Sequence, residues 1–351
     1  MTRKRLLRGA LWTGAIGLAV SLLGWWLAPS AFSLAWLAAL TLWLGWPLGC
    51  LALVFTHALT GGRWGETLRP HLTMGIATLP LLLPALVPLL CVAHDLYPWL
   101  RPDEAGALAN RLYLNMPFAL GRGFIYLFVW FGLGALALRA VRRGGPSPAL
   151  AVIGLTLLGL TVTFASIDAT MSLDPHFVSS AYGMMAAAEA GLLALAISVL
   201  VAACDADVPE DALDDLGRLL QGLLVLFVYL DFMQFLIIWQ SDLPREAAWY
   251  VARSAGIWGV VAALVAVAHF LLPFFALMSP RLRRSPAGLG GIACLLVAME
   301  VLRAWWLVLP AAGLFIGWID IASMLAIGGL ATGFAMTGPG TLILRRRLGH
   351  G

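Results

Sequence analysis

Charge is what this sequence has least of. Asp, Glu, Lys and Arg make up 11% of the 351 residues against 61% for apolar types, and the mean hydropathy is +0.91. Soluble domains carry about a quarter of their residues as charges. The deficit excludes a soluble enzyme and a nucleic-acid-binding domain, and it marks a polytopic membrane protein. Cysteine is scarce too. Cys50, Cys91, Cys204 and Cys294 are scattered, with no CxxC or CxxCH, so no spacing suits a disulfide scaffold, zinc, an iron–sulfur cluster or covalent c-type haem. A redox group would belong to a partner or bind non-covalently. Long polar loops are also missing; the longest, from His94 to Asn115, is too short to fold alone.

What remains is apolar runs of membrane-crossing length. Ten are expected: Gly9–Ala28, Ala31–Leu59, Leu72–Ala93, Met116–Leu138, Ala149–Ile167, Ala181–Ala203, Leu216–Trp239, Ser254–Met278, Leu289–Pro310 and Gly317–Thr337. The basic start of the first resembles a signal peptide, but its length and the second run that follows at once predict a retained span. Lys and Arg collect in cytoplasmic loops. With ten spans, Arg3, Lys4, Arg5, Arg8, Arg63, Arg69, Arg139, Arg142, Arg143, Arg218, Arg281, Arg283, Arg284 and Arg345 to Arg347 share one side, against Arg101, Arg111, Arg122, Arg245 and Arg253 on the other. Both termini are therefore expected in the cytoplasm. The acidic segment from Asp205 to Asp215 lacks the Gly and closing Glu of an EF-hand. It reads as a solvated connector whose last aspartates cap the seventh helix, or as a docking surface for a basic partner.

A charge at mid-span costs about 2.5–3.5 kcal/mol, so each one needs a reason. Glu189 falls in the sixth run, Asp231 in the seventh, His269 in the eighth, Glu300 and Arg303 in the ninth, and Asp320 near the start of the tenth. His57 lies near the cytoplasmic end of the second, and Asp168 closes the fifth. Glu300 and Arg303, three apart, are expected to pair on one helical face. At about 1.5 Å per residue, Asp231 and Glu300 fall near the midplane, Glu189 in the outer half, and His269 and His57 in the inner half. Together they make a candidate proton ladder between the two faces.

Three stretches are too particular for insertion alone. The first is Phe55-Thr-His57-Ala-Leu-Thr60-Gly61-Gly62-Arg63-Trp64-Gly65, a helix end broken by paired glycines. The second runs from Phe164 to Gly183 around Met171-Ser172-Leu173-Asp174-Pro175-His176. The third runs from Asp215 through Gln234, Trp239 and Trp249-Tyr250 to His269-Phe270-Leu-Leu-Pro273-Phe274. Over roughly Leu51 to Pro310 the chain resembles the F-type membrane subunits (ActF) of alternative complex III, within the wider NrfD/polysulfide-reductase-like family.

That resemblance implies an all-α integral membrane protein of about ten helices. Residues 1–30 would form a first peripheral helix, 31–170 and 171–310 two four-helix bundles, and 311–351 the tenth helix with a basic cytoplasmic tail. It further implies the bacterial plasma membrane and a part in quinol oxidation and proton translocation. The partners would be a related C-type membrane subunit, an iron–sulfur subunit and cytochrome c subunits, and these would carry the iron–sulfur clusters and haem c. The subunit itself would be non-catalytic, with quinone as its possible ligand. On the outer face Asp168, Asp174 and His176 can exchange protons beside a quinone head group, or can cap helices and hydrogen-bond within the loop. Two other readings stand: a quinol-binding anchor for a molybdopterin or polysulfide-type reductase, and a secondary transporter with a broken helix at Pro80, Pro84 and Pro88.

Overall fold

The structure, a computed structural model, describes residues 3–101 and 110–337. The basic tail expected within 338–351 lies outside the described residues. Those described are helical, with no strand among them, and they include ten helices long and apolar enough to cross a membrane. We number these spans 1 to 10: Lys4–Leu27, Pro29–Thr60, Arg63–Cys91, Met116–Arg142, Pro148–Leu173, Tyr182–Ala203, Glu210–Ser241, Ile257–Met278, Pro286–Ala312 and Trp318–Thr337. An even number of crossings returns the chain to the face where it began, called here the N-terminal face.

Local chemistry sets the ends. Proline occupies the first turn of spans 2, 4, 5 and 9, where its missing N–H would have no partner in any case. Asn115, Ser147 and Ser285 accept hydrogen bonds from the N–H groups of Phe118, Leu150 and Gly288. Gly61 and Gly62 turn the chain between spans 2 and 3 with φ of 67° and 98°, angles that a side chain would resist.

Several boundaries differ from the hydropathy reading, and two have a clear local cause. Span 3 starts at Arg63, nine positions before the apolar run, because its first turns are amphipathic and carry Glu66 and Arg69. It then tightens to a 3-10 turn at Leu79–Leu81, where Pro80 interrupts the ladder. Span 8 starts at Ile257 rather than Ser254. A separate amphipathic helix, Pro244–Ser254, precedes it, and the two are divided at Gly256, φ 55°.

Spans 2 and 6 are the most enclosed. Spans 3, 4 and 5 gather around span 2, while spans 7 and 9 pack on span 6 and span 8 packs on spans 7 and 9. Spans 1 and 10 pack on each other and against span 2, outside both groups. Small residues permit this closeness, as they do between helices in lipid. A Cβ on Gly49 would run into the Ala190 carbonyl between spans 2 and 6, and one on Gly14 would lie 2.6 Å from the Leu330 nitrogen between spans 1 and 10. Polar ties complete the outer pair: the Ser21 and Ser323 hydroxyls meet at 2.7 Å, and the Trp43 indole donates to the Met324 carbonyl at 3.1 Å.

The acidic segment does not cap span 7 as expected. Asp211 and Asp215 each pair with Arg63 at the start of span 3, at 2.9 and 2.8 Å. Asp214 is buried and held by Arg283 at 2.6 Å and Arg218 at 2.9 Å. The cause is helical phase: Asp211 and Asp215, four apart, face the first helix group, and Asp214 faces inward. The Arg63 pairs bridge the two groups at the N-terminal face, and the Asp214–Arg283 pair ties span 7 to the turn before span 9.

Gly49→Leu should force spans 2 and 6 apart and lower stability by roughly 1–3 kcal/mol or more. Gly159→Ala, where nothing lies within 4 Å of the new atom, should have no such effect. Thermal unfolding of both variants in detergent checks the contrast.

Candidate functional site

Span 8 shows how the sequence positions a polar group in apolar surroundings. Pro273 follows His269 by four residues, so it offers no N–H to the His269 carbonyl and its ring crowds that turn. The helix responds by widening to a π-helical segment, Val265–Leu271, a distortion that recurs at functional sites. His269 points into the bundle at 1% exposure, while Val267 and Leu271 on the same segment face outward.

There His269 meets residues from three other spans. Its Nε2 lies 3.3 Å from Glu300 Oε1. One turn along span 9, Arg303 reaches Asp231 of span 7 through Nη2 at 3.0 Å and Glu189 of span 6 through Nε at 3.3 Å. The Phe227 ring fills the space between, its centroid 4.8 Å from the Arg303 guanidinium and 5.3 Å from the imidazole. Spans 6, 7, 8 and 9 thus each contribute to one cluster. The expected Glu300–Arg303 pair is not formed, because Arg303 extends past Glu300 toward the two acids on neighbouring helices.

Charge counting is informative. Three carboxylates face one guanidinium and an imidazole, so the cluster reaches neutrality only when its acids and imidazole hold two protons between them. A charge surplus in an apolar interior is expensive. The site is therefore built to hold protons as well as side chains. Arg303 keeps its own, which leaves Glu189, Asp231, His269 and Glu300 as the exchangeable members.

Access is one-sided. Glu300 and His269 are sealed, whereas the Glu189 and Asp231 side chains are 19% and 37% exposed. Glu189 and Arg303 line a cleft of about 120 Å³ between the two helix groups. Its walls are mainly apolar, from Trp130, Val162 and Leu193 among others, and its other polar groups are Thr41, Ser166, Thr170 and Tyr182. Tyr182 donates to Thr170 Oγ1 at 2.8 Å. One turn beyond Asp231, Gln234 accepts from Ser179 at 2.6 Å and donates to the Tyr250 hydroxyl at 3.1 Å. Both polar branches run away from the N-terminal face.

Toward the N-terminal face the interior is leucine. Leu216, Leu220 and Leu224 of span 7, Leu277 of span 8 and Leu296 of span 9 are all fully buried. Gln221 and Ser198 interrupt that layer, donating to the Phe274 carbonyl at 3.3 Å and the Ala194 carbonyl at 2.7 Å. Of the residues expected to form a ladder between the two faces, Glu189, Asp231, His269, Glu300 and Arg303 are brought together in this one cluster. His57 stands apart in the first helix group: its Nε2 lies 3.0 Å from the Gly62 carbonyl and its ring meets Trp64 edge-on. Asp320 is separate as well, with Oδ2 accepting from the Gly317 N–H at 2.8 Å to cap its own helix.

The three outer residues are also apart from the cluster. Asp168 forms a two-point ion pair with Arg122, at 2.8 and 2.9 Å, and accepts from Tyr126 at 2.8 Å. Arg122 lies against the rings of Tyr113 and Phe118. Burial and the nearby Asp168 carboxylate push the Tyr113 hydroxyl up to about 12. Asp174 accepts from the His176 backbone N–H at 3.1 Å, closing a turn. His176 is exposed. Ser172, donating to the Asp168 carbonyl and accepting from the Trp99 indole, anchors the segment.

Sequence reasoning did not single out Phe227, Thr170 or Arg122, and it named Tyr182 and Gln234 only as members of particular stretches, without a role. Arg122 was visible only as an outer charge, and no helical spacing links it to Asp168, 46 positions away. The one available signal was helical phase, since Gln234 lies three residues after Asp231 and Tyr182 seven before Glu189.

No protein-family model matches this chain, and no curated protein matches it.

Replacing Arg303 with Met should leave Glu189 and Asp231 unbalanced and cost roughly 3–5 kcal/mol, the range for breaking a buried ion pair. Asp231→Asn, at a partly open position, should cost under about 1 kcal/mol. Chemical unfolding in detergent micelles separates the two.

Proposed function

We propose that this chain is an integral subunit of a quinol:electron-acceptor oxidoreductase of the alternative-complex-III type, and that its task is to receive and pass on protons released by quinol oxidation. The observation that carries the reading is the buried cluster of Glu189, Asp231, His269, Glu300 and Arg303, supplied by four different spans and opening at Glu189 into an apolar cleft. Ligand clefts for apolar molecules have this form, largely hydrocarbon with a few convergent polar groups. Quinone is the proposed occupant: its tail suits the apolar walls, and its head group would meet Glu189 and Arg303.

Oxidation of a quinol releases two electrons and two protons. The electrons go to iron–sulfur and haem c groups held by partner subunits. The protons are taken by Glu189 and shared with Asp231, His269 and Glu300, while Arg303 holds the carboxylates in register. Release follows the polar branches through Tyr182–Thr170 or Gln234–Tyr250, toward the face opposite the termini. In this reading the chain lies in the bacterial plasma membrane with both termini cytoplasmic, beside a related C-type membrane subunit. The outer Asp168, Asp174 and His176 lie on the side where the protons emerge. The likeness of Met171–His176 to the family's outer connection supports this assignment.

Asp231→Asn and His269→Ala should each impair proton-coupled quinol turnover in the assembled complex and leave subunit composition intact. Proton release per electron and turnover rate in proteoliposomes are the readouts. Unchanged values in both variants would remove the proton-relay role.

A further inference from the structure

A second cavity, about 450 Å³, lies opposite the N-terminal face. Arg253, the penultimate residue of the helix Pro244–Ser254, lines it and is 2% exposed. Its Nη1 donates to the Trp249 carbonyl at 3.0 Å and its Nη2 to the Leu307 carbonyl at 2.7 Å. The guanidinium carbon sits 3.6 Å from the Trp249 ring centroid, and Nε has no partner. Trp306 fixes the backbone by donating to the Arg253 carbonyl at 3.0 Å. Among the described residues no carboxylate comes within ion-pair distance of Arg253, unlike Arg303, Arg122 and Arg283. Burial lowers its pKa to about 10, so it remains charged at neutral pH.

A buried guanidinium without a counter-ion is an unfavourable arrangement unless something completes it. The cavity leaves room for that. Its walls include Pro98, Pro175, Pro310 and Ala248, which are short or rigid and send no competing side chain across. His176 stands on its rim as a further donor, and Asp174 is the single acid in the wall.

The geometry points to a receptor for an acidic side chain, presented by a protein that docks on this face and inserts its carboxylate toward Arg253. Position favours a protein over a lipid phosphate. The cavity is lined by the connections between spans 3 and 4, 5 and 6, and 7 and 8, and by the end of span 9, which places it among the loops rather than at the lipid-facing edge. Arginine beside an aromatic face is also a frequent energetic centre of protein interfaces.

The test uses the purified full-length chain in detergent, with four probes followed by calorimetry and melting temperature. These are N-acetylglutamyl amide, its neutral glutaminyl counterpart, inorganic phosphate and phosphatidylglycerol nanodiscs. The acidic amide should bind and stabilise the chain while the glutaminyl amide should not. Asp174→Asn should tighten binding several-fold by removing like charge, His176→Gln should weaken it several-fold, and Arg253→Gln should abolish it. Should Arg253→Gln fail to fold, the first two variants still decide. Equal responses in wild type, Asp174→Asn and His176→Gln would overturn the site. Phosphate or phosphatidylglycerol displacing the acidic amide at equal concentration would overturn the acidic side chain as its occupant.

Discussion

A guanidinium placed in a hydrocarbon interior cannot give up its proton, and this constraint at Arg303 organises the second half of the protein. It requires opposing charge from whatever helices surround it. Glu189 and Asp231 supply that charge from the two flanking spans, which fixes the rotation of both helices about their axes. Once two acids are committed to one base, a third acid and an imidazole nearby can only be accommodated through protons. In the proposed function, an arrangement that begins as a packing requirement thus serves to hold protons.

The rest of the architecture supports that centre. Close approach at Gly49 and Ala190 brings the two helix groups together and leaves the apolar cleft between them, with Glu189 in its lining. Pro273 and the π segment turn His269 inward at a depth where an ordinary helix would have set it differently. On the N-terminal face, Arg63 bridging Asp211 and Asp215 ties the groups together, and buried leucines separate that ion-pair layer from the cluster. The interior is therefore largely apolar between that ion-pair layer and the cluster, and hydrogen-bonded from the cluster toward the other face.

Much of this was legible in the sequence, and the boundary is physical. Ten spans could be read because hydrocarbon imposes a length and composition that twenty consecutive residues reveal. The five members of the cluster could be named because each is energetically out of place where it stands. Their partners could not. Spacing of three made Glu300 and Arg303 look like a pair, yet partner choice depends on which faces neighbouring helices present, and that is settled by packing at small residues far along the chain. The polar start of span 3 and the helix Pro244–Ser254 escaped for a related reason: both are amphipathic, and averaging over apolar and charged faces hides them. Asp168 was noticed as an acid at a helix end, but its engagement by Arg122 depends on the fourth span lying beside the fifth.

The most direct measurement of the central claim is infrared difference spectroscopy of the assembled complex between its quinol-reduced and oxidised states. The account predicts a protonated-carboxyl band that changes with turnover, shifts in deuterated water, and is lost or displaced in Glu189→Gln or Glu300→Gln. Absence of any such band, or a band that neither substitution affects, would contradict it.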